Sequence, residues 1–447
     1  MQPKVSIVIP SLNSINYIDE CLQSLINQTL KDIEIICVDA NSTDGTLEYL
    51  KGLEKKDKRV KVIVSDKKSY GYQMNLGITA AKGEYLGIVE SDDYIKLNMY
   101  ERLYKVAKEQ DCEVLKCDIE NFWGNKENRV FKYNPICYID SLYSKLFDKR
   151  ILETTEPNLI ISLIKDTWNM NPPGLYKLDF INKFNIRLNE TLGASYQDTG
   201  FWFMMQILAQ KIYFLNESYY CYRRDNENSS CNSKSKVYCI CDEYDFMREF
   251  LNKYSNLDRS FTYLLSYLRF GGYLWTLNRI SDKFKFEFLL KFQKDFKKII
   301  NNGELDRAYF TEWQLQMLDK LIENPEQYYI NTCQRPLGAV NRIKNQLSYK
   351  LGNKIVKAKS PIEIIKLPFS LVSIINKHKF EKNVLSILYK INPDLKPLPL
   401  ESYGDYYEAL KYKEHLSYKL GQALIKNPFS FVFKFYNITI NHNRRCQ

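Results

Sequence analysis

Residues 5–93 alternate short apolar runs with amphipathic segments, and this alternation restricts the possible folds more than any other feature of the chain. Val5-Ser6-Ile7-Val8-Ile9 is an apolar run ending at Pro10, the pattern of a buried strand. Ile18, Leu22 and Leu25 then recur at helical spacing. A second strand is predicted from Ile33 to Val38, ending at Asp39, and a second helix through Leu47, Leu50 and Leu53. Val60–Val64 is a third strand, Met74, Ile78 and Ala81 share one face of a third helix, and Tyr85–Val89 is a fourth strand. This β-α-β-α-β-α-β order predicts an α/β, doubly wound, mostly parallel sheet. Ligands of such sheets bind beyond the carboxyl ends of the strands. The polar groups there are Asn13, Asp39 and the Glu90-Ser91-Asp92-Asp93 cluster.

The chain has 447 residues and 45% apolar composition, which predicts two or three domains. The segment from residue 236 to 330 reads as mainly α-helical, with a stop at Glu323-Asn324-Pro325-Glu326. The expected division is 1–232, 233–334 and a basic helical tail, 335–447. From Arg335 onward there are 20 Lys and Arg against 7 Asp and Glu, so the tail carries +13 of a total +11 and the rest is close to neutral. In the tail, Leu347-Ser348-Tyr349-Lys350-Leu351-Gly352 recurs as Leu416-Ser417-Tyr418-Lys419-Leu420-Gly421. Two copies are too few for a solenoid. Eleven scattered cysteines with no CxxC read as reduced thiols. The chain enters a strand directly after Lys4, so no secretory segment is expected, and no apolar run is long enough to span a bilayer. These features point to a cytoplasmic location. The only histidines are His378, His415 and His442, which excludes histidine catalysis or ligation in the first 377 residues.

The acidic cluster admits two readings. Carboxylates crowded at a strand end repel one another unless a cation sits among them, and their hard oxygens suit Mg²⁺ or Mn²⁺. The same residues also make a solvated, capped turn. Asp39 with Asn41-Ser42-Thr43-Asp44-Gly45-Thr46 can likewise hold a base or ribose, or simply cap the next helix.

Taken in order, the segments match a family. Val5–Asn13, Ser24-Leu25-Ile26-Asn27-Gln28-Thr29, Val38–Thr46, Asn75-Leu76-Gly77-Ile78 and Ala81-Lys82-Gly83-Glu84-Tyr85 resemble successive motifs of family 2 glycosyltransferases with the GT-A fold, over roughly residues 4 to 105. Glu90-Ser91-Asp92 sits where that family has its Asp-x-Asp metal motif. The resemblance implies that Asp39 binds the nucleotide base and that Pro10, Leu12 and Asn13 line the nucleoside pocket. Asn75 and Ser91 join the nucleotide-sugar site. By the same resemblance Asp92 would ligate Mn²⁺ or Mg²⁺ and Glu90 would stand near the ribose or metal, with Asp93 as a substitute ligand. An inverting transferase needs a base for the acceptor hydroxyl. The family's Glu-Asp pair corresponds to Gln197-Asp198 before the aromatic run Phe201-Trp202-Phe203, which makes Asp198 the base. Trp168 and Tyr176 read either as an acceptor platform or as core. Arg223 of Tyr222-Arg223-Arg224 reads either as a diphosphate partner or as a surface charge.

The implied activity is inverting transfer from a nucleotide-diphosphate sugar, UDP-sugar favoured, to a glycan or lipid-linked acceptor in bacterial surface-glycan synthesis. The tail interleaves lysines with apolar clusters at 362–372 and 429–435, which suits an anionic membrane surface or a solvated helical domain. No nucleic-acid signature is present. Two rivals stand beside this reading. A nucleotidyltransferase would need a Gly-rich basic loop after the first strand, and Ser11-Leu12-Asn13-Ser14-Ile15-Asn16 offers none. A scaffold that keeps the fold without the reaction is the other, raised by Glu90 and Gln197.

Overall fold

The computed structural model describes residues 2–227, 233–254, 257–333, 338–358 and 360–428, together with 431 and 435. The chain forms two compact units, Met1–Ile322 and Glu323–Gln447.

The first unit is built on a ten-stranded sheet. Strands β1 (Val5–Ser11), β2 (Ile33–Asp39), β3 (Val60–Val64) and β4 (Tyr85–Ile88) alternate with α1 (Ile15–Ile26), α2 (Thr46–Glu54) and α3 (Tyr70–Ala80). They run in the order β3-β2-β1-β4, all parallel. All seven residues of β1 are buried, as the apolar run required of a central strand. Beyond β4 come β5 (Tyr94–Ile95), α4 (Met99–Gln110), β6 (Val114–Trp123), β7 (Val130–Asn134), β8 (Leu146–Asp148), α5 (Lys149–Thr155), α6 (Pro157–Lys165), β9 (Gly174–Lys177), α7 (Leu178–Lys183), α8 (Gln197–Leu208) and β10 (Lys211–Arg223). This half of the sheet is mixed. β9 enters antiparallel between β4 and β6, whereas β6 and β10 are parallel. Helices α9 (Cys239–Lys253), α10 (Ser260–Arg279), α11 (Asp282–Asn301) and α12 (Glu312–Glu323) complete the unit. The segment 239–322 therefore shares one compact unit with the sheet, and the expected boundary near 232 falls inside that unit. The described cysteines are free.

The second unit is helical: α13 (Pro325–Thr332), α14 (Ala339–Lys344), α15 (Leu347–Lys357), α16 (Pro361–Ile391), α17 (Tyr406–Glu414) and α18 (Leu416–Lys426). The predicted stop at Pro325 is also a start, because Pro325 opens α13 and the Asn324 side chain accepts from Gln327 N at 2.9 Å. The two six-residue repeats form the first turns of α15 and α18, and these helices pack on each other. At the crossing each backbone lies on the other. A Cβ at Gly352 would sit 1.6 Å from Ser417 O, and one at Gly421 would sit 1.7 Å from Ser348 O. The repeat is thus a self-complementary pair rather than a stacked array. Beside it Ala339, Ile343 and Ala409 form a small core. Asp405 accepts from the N–H groups of Gly338, Ala339 and Val340 at 2.9–3.0 Å. The α16 capping box of Ser360 and Glu363 is formed, yet no residue of this helix is buried. The arginine at 335 and most of the 429–435 cluster lie outside the described residues.

Candidate active site

The strand order reverses between β1 and β4, which opens a crevice at their carboxyl ends. Two strand ends and the start of one helix supply it. From β2, Asp39 has no exposed surface and accepts from Ser11 Oγ (2.8 Å), Ser42 N (2.7 Å) and Ser42 Oγ (2.7 Å). Ser42 Oγ in turn accepts from Asn13 N at 2.8 Å, and Asn13 Oδ1 accepts from Thr43 N at 2.9 Å. Asn13 and Asn41 hold left-handed φ values of 53° and 61°, which asparagine tolerates. Asp39 therefore organises the 41–44 turn and, through Ser42, Asn13. Both carboxylate oxygens of Asp39 are engaged by Ser11 and Ser42. Pro10 is buried in β1, Leu12 is 41% exposed at the rim, and Ser91 Oγ meets Ser14 Oγ at 2.8 Å. Gln73, not anticipated from the sequence, ties the two strand ends together through Ser11 O (2.9 Å) and Val38 O (2.7 Å).

From β4 comes the acidic turn. Glu90 Oε1 accepts from Tyr70 Oη at 2.8 Å. Burial pushes the Glu90 carboxyl up to about 8; the Tyr70 bond opposes this, and the charges of Asp92 and Asp198 add to it. Asp92 Oδ2 accepts from Asn226 Nδ2 at 2.7 Å. Asp93 is 1% exposed, and its oxygens accept from Tyr220 Oη (2.6 Å) and Arg223 N (2.7 Å). Burial holds its carboxyl well above the usual range, with Asp92 adding to the rise. Asp93 is therefore a core anchor, and the substitute-ligand reading gives way. Arg223 is also internal. It pairs with Glu20 at 2.9 Å, donates to Asp92 O at 2.9 Å, and its side chain is 8% exposed. It braces the acidic turn from behind instead of reaching outward as a diphosphate partner.

The third contribution is the first turn of α8. Asp198 is half-buried, and burial raises its carboxyl to about 6 against the pull of the Thr199 N–H. Its charge adds to the raised pKa of both Glu90 and Tyr70, which places the start of α8 within electrostatic reach of the acidic turn. Gln197 faces inward: Nε2 donates to Thr191 Oγ1 (2.9 Å) and Gly193 O (3.1 Å), and Oε1 accepts from Ser195 N. Glu243 of α9, 1% exposed, accepts from Gly200 N at 3.0 Å and Asn189 Nδ2 at 3.1 Å. Burial pushes it to about 8, with Asp198 contributing. Nothing near Glu243 in the sequence signals this role, since it lies 45 positions beyond Asp198.

Asn75 lies elsewhere. Its Nδ2 donates to Leu188 O (2.9 Å) and Glu190 Oε1 (3.0 Å), and its Oδ1 accepts from Leu188 N (2.8 Å). The amide clamps the 188–190 segment, which displaces the expectation of a nucleotide contact. Tyr176 is core at 1% exposure. Trp168 is half-buried and meets Tyr222 edge-on, ring centroids 6.3 Å apart.

Residues 6–162 match the family described as Glycosyl transferase family 2. The glycosyltransferase GlyG of Streptococcus pneumoniae serotype 4 is 32% identical over 229 residues, which are 50% of this chain and 72% of that protein. The chain belongs to glycosyltransferase family 2. The match to this enzyme family lies in the sheet-bearing half. The poly(ribitol-phosphate) beta-glucosyltransferase of Bacillus spizizenii is 32% identical over 233 residues, 51% of this chain but 33% of that protein. The uncharacterized glycosyltransferase EpsJ of Bacillus subtilis is 29% identical, with 51% and 63% covered. Among solved structures, residues 1–349 of S. aureus TarS in complex with UDP-GlcNAc align with a TM-score of 0.54 at 21% identity, covering 73% of this chain and 89% of that one, a likeness of fold. Residues 274–446 match a domain of unknown function, DUF8374. The chain is thus a family 2 glycosyltransferase with the GT-A fold.

Proposed function

We propose that this glycosyltransferase moves a sugar, with inversion, from a UDP-sugar to a hydroxyl of a surface glycan or lipid-linked acceptor. What supports this reading is that Glu90 and Asp92 at the end of β4 and Asp198 at the start of α8 lie within electrostatic reach, the charges of Asp92 and Asp198 both adding to the rise of the Glu90 carboxyl. Asp198 is the base. A carboxyl raised to about 6 is ionised at neutral pH and binds a proton more strongly than an ordinary aspartate. It takes the acceptor proton as that oxygen bonds to the anomeric carbon and the bond to the diphosphate breaks. Leu12, Asn13, Pro10 and Ser91 line the nucleoside side, with Asp39 shaping the turn that holds Asn13. The UDP preference is supported by the UDP-GlcNAc bound to the structural neighbour.

The carboxylates suit a divalent cation. Among the described residues no three His, Cys, Asp or Glu side chains converge on one point, so the chain offers one or two oxygen ligands. That is the usual protein share for Mg²⁺ or Mn²⁺ when phosphates and water complete the shell. Asp92, with Glu90 beside it, would hold the ion, which would neutralise charge on the leaving diphosphate. Glu90 carries a burden of burial and like charge that a cation relieves.

The tail docks on an anionic bilayer surface. Ile362, Ile365, Phe369, Phe380 and Ile391 of α16 are 65–80% exposed, in a region that carries excess positive charge. No helix among the described residues is long and apolar enough to cross a membrane.

The test is a thermal-shift panel of UDP-, GDP-, CMP- and dTDP-sugars with and without MnCl₂, followed by turnover of the donor that binds. Asp198→Asn keeps the donor shift and loses turnover, whereas Asp92→Ala loses the metal-dependent part of the shift. Retained turnover in Asp198→Asn refutes the assignment of the base. For the tail, flotation with phosphatidylglycerol vesicles but not phosphatidylcholine vesicles is expected, abolished by Phe369→Glu with Ile365→Glu.

A further inference from the structure

Lys116 of β6 is 1% exposed, and among the described residues it has no carboxylate partner. Its ammonium donates to Met170 O, to Asn171 O at 2.9 Å and to Tyr176 Oη at 2.8 Å, which uses all three of its N–H donors. Tyr176 Oη also donates to Asn171 O, at 2.7 Å. Burying a cation without a counter-charge is expensive, and an apolar side chain of similar volume would fill the space at less cost. What the ammonium adds is direction, because it fixes two successive carbonyls of the 170–171 segment. Gly174 lets this segment lie against β6: a Cβ there would stand 2.5 Å from Leu115 O and 3.0 Å from Lys116 Cδ.

The segment so held reaches the base. Asn171, 1% exposed, donates from Nδ2 to the backbone oxygen of Asp198 at 2.8 Å. Asn169 Nδ2 donates to Thr199 Oγ1 at 3.2 Å, one residue further along α8. Trp168, at the start of the same segment, is tied by its N–H to Ile136 O at 2.8 Å and stands against Tyr222. Residues 168–171 therefore link a buried ammonium, the turn bearing Asp198 and the half-buried pair of Trp168 and Tyr222.

We propose that Lys116 and Asn171 are positioning residues for the transfer step, a clasp that fixes Asp198 relative to the reacting sugar without touching it. The proposal rests on the reading of Asp198 as the base. The 1% exposure of both residues means that they act through backbone placement. Burial lowers the Lys116 ammonium to about 7, because the site takes the charge out of water without a carboxylate to offset the loss. A shift of the base by about 1 Å costs on the order of a hundredfold in rate.

The experiment measures UDP release by the full chain with MnCl₂ and UDP-GlcNAc, UDP-glucose or UDP-galactose, as kcat and donor KM. Lys116→Met removes the ammonium. Asn171→Ala leaves Lys116 and its carbonyl partners intact, and it carries the test if Lys116→Met folds poorly. The expected result is a kcat lower by about 10- to 100-fold in Asn171→Ala, with donor KM within about twofold of the parent. A kcat equal to the parent, or equal losses in kcat and in donor-binding sites, overturns the clasp, since a structural role lowers the amount of folded enzyme and not its turnover per site. Asp198→Asn run in parallel separates the two ideas. If it is inactive while Asn171→Ala is normal, the clasp alone fails; if it turns over normally, the base reading fails.

Discussion

The contact between α15 and α18 makes a prediction whose size follows from its geometry. Gly352→Ala would place a methyl carbon 1.6 Å from Ser417 O, and Gly421→Ala would place one 1.7 Å from Ser348 O. Carbon–oxygen contacts settle near 3.3 Å or more, so either substitution forces the helices apart by about 1.7 Å. A gap of 0.5–1 Å already forfeits roughly a quarter to a half of each dispersion contact, and overpacking of this kind costs about 1–3 kcal/mol or more. Alanine's helix propensity returns about 1 kcal/mol. The net expectation is a loss of about 2 kcal/mol, seen as roughly 30-fold faster hydrogen exchange of α15 and α18 amides in the full chain. The same opening accommodates both methyls, so the double variant loses about as much as either single one. Gly271→Ala, in α10 with nothing within 4 Å of its added carbon, is the control and gains about 1 kcal/mol. Unchanged exchange in both single variants, or additive losses in the double, would show that the repeats do not meet in this way.

Three further outcomes follow from the site. Asp198 is the active base only when ionised, so with its carboxyl raised to about 6, kcat for UDP release is flat above pH 7 and falls about tenfold per unit below 6; a limb near pH 4 contradicts the burial assigned to it. Glu90 and Glu243, both raised from 4.5 to about 8, keep protons in the folded chain that the unfolded chain releases. Their contribution to stability is full below about pH 4.5 and is lost as pH rises through 8, so Tm declines between pH 6 and 8.5, and MnCl₂ flattens the part due to Glu90; a rising Tm over that window refutes the assignment. Gln197→Glu turns a donor that serves Thr191 Oγ1 and Gly193 O into an acceptor facing acceptors, beside Asp198; differential unfolding should register a loss of about 1–3 kcal/mol, and an unaltered Tm would show that the amide contacts are unimportant.

The chain itself carried the alternation of elements up to residue 93, because burial on both faces demands continuous apolar strands and the helices between them show the matching period. The strand ends followed from that, and with them the places of Asn13, Asp39, Glu90 and Asp92. Roles were less legible. Asp93 and Asp92 are neighbours of one residue type, yet one is a core anchor bonded to Tyr220 and the other stands at the crevice. Asn75 sits in a family motif, yet its amide is taken up by Leu188 and Glu190, more than 110 positions away.

Local spacing determined which stretches are helix or strand, where the carboxylates stand along the chain, and that a six-residue motif occurs twice. Those properties depend on near neighbours and on hydrophobic period, which a sequence displays directly. Only the tertiary structure decided that Glu243 bonds the turn of Asp198, that Lys116 holds the 170–171 segment whose Asn171 bonds that turn, that Asp39 is bonded into its own turn, and that the two repeats fold onto each other. Hydrogen-bond satisfaction and burial join residues tens of positions apart, and chain closure in three dimensions is what brings such partners together.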